Sequence, residues 1–393
     1  MPAHIRILMS YIGALGIIVG ALLILINAER LSSPTPTDEG VGQIANAAAA
    51  QPSLEIHPSL PETVQEERAL HPLPPVKTTG GPAPSPVPPA NTEQVAYVAR
   101  IPNPYPFPPE SFSAINEKTR AALVNILCTS DGVSLQPISG SGIIIDPRGI
   151  ILTNAHVAQY VLLAQSSETN LSCVIRSGAP ARAFWRTEVL YIPPIWIQEH
   201  AADITNAAPT GTGEHDYALL RITGLLESLD LSPAALNIHA LPFDVREGIG
   251  FRDDFVLIAS YPAEFVGAAA QFSLYPVSSI APIKELLTFE ASTVDLVSLG
   301  GVVEAQSGSS GGPVVNAWGH VIGIITTTSE GATTAERELR AITMTYVNHD
   351  LSLQTGDDLI TILGSDVATR ANEFSTKQAP ALVRLLIDNI SDR

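Results

Sequence analysis

The chain of 393 residues holds just two cysteines, which excludes a disulfide-stapled scaffold and any cysteine-rich zinc module. Positive charge is scarce as well, with 21 Lys and Arg against 39 Asp and Glu and a formal net charge of −18. Such a chain has no broad electrostatic footprint for nucleic acid. An anionic membrane surface also repels it unless something else holds it there. Charged residues make up only 15% of the sequence and apolar ones 45%, too apolar for a chain disordered throughout. At roughly 150 residues per domain, the length suggests two or three units.

What is present begins with an uncharged run from Ile7 to Ala28. As a helix it spans about 33 Å, close to the ~30 Å hydrocarbon core of a bilayer. His4 and Arg6 precede it, which favours residues 1–6 in the cytoplasm. A cleaved signal peptide competes, but its apolar region is normally ~7–15 residues long and ends in a small-residue cleavage site. Here the run is longer and Ile26-Asn27-Ala28 fits such a site poorly. The expectation is a single-pass anchor over 7–28 that places the rest of the chain outside the cytoplasm, at the cell membrane. Gly16 and Gly20 have the spacing that lets two membrane helices approach. A dimer through them competes with the blander reading of tolerated small residues.

Eighteen of the 32 prolines fall between Leu31 and Glu110, with no sustained apolar period. A run such as Gly80-Gly81-Pro82-Ala83-Pro84-Ser85-Pro86 neither pairs as a strand nor winds as a helix interior. Residues 29–110 read as a disordered Pro-rich stalk, in preference to a ligand for a proline-binding module.

From Ser111 the composition changes to short apolar runs between Gly, Pro, Asp and Ser clusters, the pattern of an all-β chain. Strands are expected at Leu123–Leu127, Ser141–Ile145, Ile150–Leu152, Ser172–Ile175, Phe184–Tyr191 and Tyr217–Ile222. A second group is expected at Phe255–Ser260, Gln271–Ser278, Gly301–Ala305, Val314–Asn316, Val321–Thr327 and Arg340–Thr345. Asp146-Pro147-Arg148-Gly149 is a turn, because Pro presets its second position and Gly permits its close. The break near Gly224–Ala240 predicts two barrels or sandwiches, about 118–225 and about 240–350, within a domain over 111–352. The tail over 353–393 shows helical stretches at Asp357–Leu363 and Ala379–Asn389 and is expected against the second barrel.

Three segments carry chemistry. Leu152-Thr153-Asn154-Ala155-His156-Val157 reads as a strand ending in an imidazole. His215-Asp216-Tyr217-Ala218-Leu219-Leu220 brings a carboxylate into an apolar strand, and Gly308-Ser309-Ser310-Gly311-Gly312-Pro313 sets a hydroxyl in a glycine-rich turn. A serine hydroxyl is a weak nucleophile until a base takes its proton, and His is the best base near neutral pH. A buried carboxylate fixes the tautomer of that His and stabilises its charged form. A glycine-rich turn lets backbone N–H groups converge on an oxyanion, here those of Gly308 and Ser310.

These residues resemble the trypsin-like (chymotrypsin-fold) serine proteases. The run from Ser141-Gly142-Ile143 to Leu152-Thr153-Asn154-Ala155-His156-Val157 is most similar to the HtrA/Deg branch. Phe255-Val256-Leu257-Ile258-Ala259-Ser260-Tyr261-Pro262 resembles that branch's strand ending in Gly-Tyr-Pro, with Ser260 in place of Gly. The resemblance covers roughly Ala121–Asp350. It implies two six-stranded antiparallel β-barrels with the active site between them. The triad order is His156, Asp216, Ser310, with Asp203 the next candidate for the acid. Polypeptide is the implied substrate, as extended segments of extracytoplasmic proteins.

The sequence departs from the family in two ways. Ser309 stands where digestive relatives carry an Asp that pairs with a new N-terminus, so activation by N-terminal insertion is not expected. The residues after Ser352 are too few for the PDZ domain that most HtrA enzymes carry, so PDZ regulation and trimer formation are not expected either. Family geometry puts Glu304, six residues before Ser310, near the base of the S1 pocket, where it favours Lys or Arg at P1. The competing reading has Glu304 facing solvent on a strand. Ile325, Thr326 and Thr327 are expected as the edge that pairs with substrate backbone.

Two rival readings of the same residues remain. The G-x-S-x-G elbow of α/β-hydrolases needs the order Ser, acid, His, which His349-Asp350 after Ser310 does not supply. A catalytically silent protease fold that binds extended peptides is the second. His200, His215, His320 and His349 show no ligand spacing and read as surface or loop residues, so no metal and no cofactor are expected. Cys128 and Cys173 either join, worth about 4 kcal/mol in the chain-entropy model, or remain two buried thiols.

Overall fold

The computed structural model describes residues 98–130, 135–206, 211–227, 238–264, 267–289, 293–328 and 333–391. The expected anchor over 7–28, with Gly16 and Gly20, and most of the stalk lie outside these residues. Among the described residues no helix is long and apolar enough to cross a membrane.

Six strands close into an antiparallel barrel in the order β1-β2-β3-β6-β5-β4. They are β1 (Leu123–Ser130), β2 (Ile138–Asp146), β3 (Ile150–Thr153), β4 (Leu171–Ser177), β5 (Arg182–Tyr191) and β6 (Ala218–Leu225). The turn after β2 closes through a bond from the Gly149 amide to the Asp146 carbonyl, 2.9 Å. Ile126, Ile143, Ile150, Leu152, Ile175 and Leu219 are all fully buried, so the barrel is a filled core rather than a channel. Cys128 lies opposite Cys173 across β1 and β4, and the two form a disulfide.

The second group forms a seven-stranded sheet, β8-β7-β11-β12-β13-β10-β9, and not the closed six-stranded barrel expected. Its strands are β7 (Phe255–Ser260), β8 (Val277–Pro282), β9 (Glu285–Leu287), β10 (Leu296–Gly300), β11 (Pro313–Val315), β12 (Val321–Thr328) and β13 (Leu339–Thr343). The reason is a bend. Only Ile283 and Lys284 separate β8 from β9, and Pro282 has no N–H for a ladder. The Ile283 amide bonds the Asp254 carbonyl beside β7, whereas the Lys284 amide bonds the Ser298 carbonyl on β10. One bent segment therefore borders both ends of the sheet.

Two strand expectations in this half fail. Gln271–Ser278 is largely irregular and follows a 3-10 turn at Gly267–Gln271, and Gly301–Ala305 is a turn after β10. Neither stretch is uniformly buried: Leu274 and Ala305 are buried, whereas Phe272, Tyr275 and Val303 are exposed.

Helix α1 (Phe112–Ala122) precedes the barrel, capped by the Ser111 hydroxyl, and packs on β2, β7 and β11. Residues 98–110, expected as the end of the stalk, are instead held on the second sheet. The Ile101 amide bonds Gly248, the Glu110 amide bonds Ala317, and the Trp318 indole donates to the Phe107 carbonyl. The Tyr105 hydroxyl donates to Asp244 at 2.6 Å, with its ring stacked on His320.

Helices α2 (Ala155–Ala164) and α3 (Pro194–His200) lie within the first half, and α4 (Met344–Thr355) follows β13. The tail adds α5 (Leu359–Gly364), α6 (Val367–Lys377) and α7 (Ala379–Ser391). It packs on the first barrel rather than the second. Helix α6 lies on β5, and α7 meets α2, α3 and the 3-10 turn Ala201–Asp203. Val367, Ala371, Phe374, Leu382 and Leu386 are buried there. Arg148, in the β2–β3 turn, donates to the carbonyls of Leu363 and Ser365 and ties the turn to the tail.

Candidate active site

His156 is not at the end of a strand. Strand β3 stops at Thr153, Asn154 caps the next helix, and His156 is the second residue of α2. The Asn154 side chain makes no cap bond; its amide donates 2.7 Å to the Asp216 carbonyl. The first turn of α2 is thereby fastened to the start of β6.

The Asp216 carboxylate receives three donors. The His156 backbone amide reaches Oδ1 at 3.0 Å, the His156 ring Nδ1 lies 2.8 Å from Oδ2, and the Thr326 hydroxyl donates to Oδ2 at 2.7 Å. Bonding to a carboxylate puts the ring proton on Nδ1 and leaves Nε2 as a base. The Asp216 side chain is 6% exposed and that of His156 is 30% exposed. Burial disfavours the charged imidazole, but the charge and hydrogen bond of Asp216 outweigh it and hold the His156 pKa above its ordinary value. Burial would likewise raise Asp216, and the His156 charge, the two His156 bonds and Thr326 together hold it below the usual carboxylate range. Asp203, the other acid considered, lies in the 3-10 turn that packs against α7.

Ser310 is in the turn between β10 and β11, at the seam of the two halves. Its carbonyl accepts from the Ser141 amide at 2.8 Å, and the Ser141 hydroxyl donates 2.7 Å to the Gly308 carbonyl. That hydroxyl also accepts from the Tyr261 amide at 2.9 Å. One serine of β2 thus grips the serine turn and the end of β7 together. Gly311, at φ +84°, lies so close to β2 and β3 that a Cβ there would overlap the Ser141 carbonyl and the Thr153 hydroxyl. The Ser310 turn is therefore pressed against the strand that delivers His156. Among the described residues no hydrogen bond joins the Ser310 hydroxyl to His156, and such contacts commonly tighten only when substrate binds.

Gly308 has φ +94°, and a Cβ there would meet Ala263 N and Tyr261 O at 2.8 Å. Among the described residues the amides of Gly308 and Ser310 have no acceptor. The preceding segment is braced: Arg337 pairs with Glu264 and donates to the Ala305 carbonyl, while Glu264 accepts from the Ser307 amide. The Ser260 hydroxyl donates to that of Ser309 at 3.0 Å.

Glu304 is in a turn and is 0% exposed, so the solvent-facing reading is overturned. Its Oε2 accepts from the Ser279 hydroxyl at 2.6 Å, and its buried Oε1 has no partner. Burial pushes its pKa up.

Ile325 is not a free edge. Its amide donates to Gly312, its carbonyl accepts from Gly311, and its side chain is buried. Thr326 bonds Asp216, a role with no sequence signal beyond its distance downstream of the nucleophile. Thr327 pairs with Arg340 on the β13 side. On the β11 side, ladder pairing ends at Ile324 opposite Pro313, the Ile325 backbone bonds follow, and among the described residues no strand pairs with that edge beyond them.

The disulfide Cys128–Cys173 lies within the first barrel. His215, expected at the surface or in a loop, is half-buried in a turn and lies 3.0 Å from the buried carboxylate of Asp350, beside Asp216. Among the described residues no group of three or more His, Cys, Asp or Glu has a metal-binding arrangement.

Residues 140–324 match the family described as the trypsin-like peptidase domain. No curated protein sequence matches the chain significantly. Among solved structures, the Rv3671c protease from M. tuberculosis in its active form is similar, with 17% identity and a TM-score of 0.39 over 70% of this chain and 94% of that one. Residues 140–324 span every segment just described from Ser141 to the middle of β12, and the chain is a serine endopeptidase carrying a trypsin-like peptidase domain.

Proposed function

We propose that this endopeptidase works by a Ser310–His156–Asp216 triad, is anchored in the membrane by residues 7–28, and acts outside the cytoplasm on extended polypeptide. The observation that carries the triad is the His156–Asp216 pair, held by Thr326 and Asn154 at the seam against which the Ser310 turn is packed. Ser310 Oγ attacks the scissile carbonyl and passes its proton to His156 Nε2. Asp216 holds the Nδ1 proton and stabilises the imidazolium. The oxyanion is received by the amides of Gly308 and Ser310, each such donor being worth about 3–4 kcal/mol of barrier. His156 then protonates the leaving amine, and water enters by the same base to release the acyl group.

The β11-side edge of β12 beyond Ile325, unpaired among the described residues, suits pairing with substrate backbone, which favours an extended segment. The buried unpaired Oε1 of Glu304 supports Lys or Arg at P1, because a basic side chain supplies the missing donor. The uncharged run 7–28 supports the anchor.

A proteome-derived peptide library digested with the full chain in detergent, beside Ser310→Ala, tests the chemistry and the pocket together. Cuts after Lys and Arg made only by the parent are expected. Cuts made only by the parent but after apolar residues would remove Glu304 from the pocket and leave the triad standing. Alkaline carbonate extraction tests the anchor: the chain should stay with the membrane fraction, and full release would overturn that part.

A further inference from the structure

Asp350 lies on α4, 134 residues beyond Asp216 in the chain, and is 5% exposed. Both neighbours of Asp216 bind it. His215 Nδ1 lies 3.0 Å from Oδ1, and the Tyr217 hydroxyl donates to Oδ2 at 2.8 Å. The segment is a tight turn, closed by the Tyr217 amide on the His215 carbonyl at 2.9 Å. Its two ends, residues 215 and 217, are fixed on one carboxylate, and Asp216, held between them, bonds His156.

Two more bonds secure the arrangement. The Tyr346 hydroxyl, also on α4, accepts from the His215 amide at 2.9 Å, and Gln354 donates to Asp350 Oδ2 at 2.6 Å. His215 has φ +56°, a left-handed conformation that a non-glycine residue keeps only when its surroundings enforce it. The other titratable groups facing the cluster are Glu214 and Glu199 beside His215, and Tyr191 beside Tyr217 and Asp350.

We infer that Asp350, acting through His215 and Tyr217, is a positioning residue that aims Asp216 at His156, so that α4 is part of the catalytic apparatus. The inference rests on the proposed triad for its functional meaning, though not for its geometry.

The test is nuclear magnetic resonance of 15N-histidine-labelled full chain in detergent. His156 is assigned by loss of its signal in His156→Ala and titrated in the parent, Asp350→Ala, Asp350→Asn and Tyr217→Phe. In the parent the His156 midpoint lies above the ordinary histidine value, and in Asp350→Ala it falls toward it. Asp350→Asn restores part of the shift, because the amide oxygen still accepts from Tyr217. Tyr217→Phe gives a smaller fall and keeps the fold, since it only removes a hydroxyl. Kinetics read the same effect: kcat drops about 10–100-fold in Asp350→Ala with KM within twofold of the parent.

A His156 midpoint unchanged in folded Asp350→Ala overturns the inference. If that variant does not fold, an unchanged midpoint and kcat in Tyr217→Phe overturn it equally. A shifted midpoint with no Ser310-dependent turnover in the parent would sink the triad reading instead and leave the positioning intact.

Discussion

The two halves of the domain hold the two halves of the proposed chemistry, and they hold them differently. The first barrel closes on itself, is filled by branched aliphatic side chains, is crossed by a disulfide and is backed by the tail helices α6 and α7. It carries His156 in the first turn of α2 and Asp216 in the turn just before β6. The second sheet is bent at Pro282, and its serine turn is a run of close backbone approaches braced by polar ties to Ser141, Ser260 and the Glu264–Arg337 pair. The base and its carboxylate thus take their geometry from side-chain hydrogen bonds mounted on a packed barrel, whereas the nucleophile takes its geometry from glycines in close backbone approach and the polar ties around them. Disturbing packing should therefore cost stability first, and disturbing the seam should cost activity and stability together.

Gly311→Ala disturbs the seam most. Positive φ and the overlap with Ser141 and Thr153 should together cost about 3–5 kcal/mol. Thermal unfolding should show the loss, and whatever protein stays folded should turn over far more slowly than the parent. A folded and active Gly311→Ala would erase the contrast between the halves.

Removing the disulfide with Cys128→Ser and Cys173→Ser together probes the other side. Stability should fall by about 2–4 kcal/mol, with kcat at low temperature within twofold of the parent. A large fall in kcat at full stability would place the disulfide in the chemistry rather than the scaffold.

Acid and base act on the pair that bridges the two regimes. His156 must be neutral to accept a proton, and its pKa is raised, so the acid limb of kcat/KM should have its midpoint above about 6.5. The same interaction stabilises the fold. Counted at His156, its contribution is fully present below about pH 6.5 and is lost as pH rises through the folded value. Counted at Asp216, whose folded pKa is lowered, it is present above about pH 4 and lost as pH falls through that folded value. Chemical denaturation across pH 3–9 reads both limits of this one interaction.

Thr326→Val should have the smallest effect. It removes one of three donors to Asp216 and should lower kcat about tenfold, equal to about 1.4 kcal/mol of barrier. The acid limb should move down, because His156 loses part of the fixed carboxylate that raises it.

Much of this was legible in the sequence where chemistry and local pattern coincide. The Ser141–Val157 run, the turn at Asp146–Gly149 and the glycine-rich turn at 308–312 announce strands, a seam and a nucleophile through residue type and short spacing. What the sequence hid is non-local. Asp350 carries no local signal of a role, and nothing in the chain says that residues 215 and 217 both reach it. The Gln271–Ser278 and Gly301–Ala305 stretches look like strands because a short apolar run shows no more than that, yet Phe272, Tyr275 and Val303 are exposed in loops. Ile325 looked like a substrate edge, yet the serine turn already uses its backbone. The tail's partner was misjudged because an amphipathic helix shows that it has a buried face, not which barrel it covers.

The central claim is that Ser310 is activated by His156 across the seam. Covalent labelling of the full chain by a fluorophosphonate, beside Ser310→Ala and His156→Ala, tests it most directly. The account predicts labelling of the parent that rises with pH through the His156 midpoint and vanishes in both variants. A folded parent that takes no label between about pH 6 and about pH 9, or labelling that survives in Ser310→Ala, would contradict it.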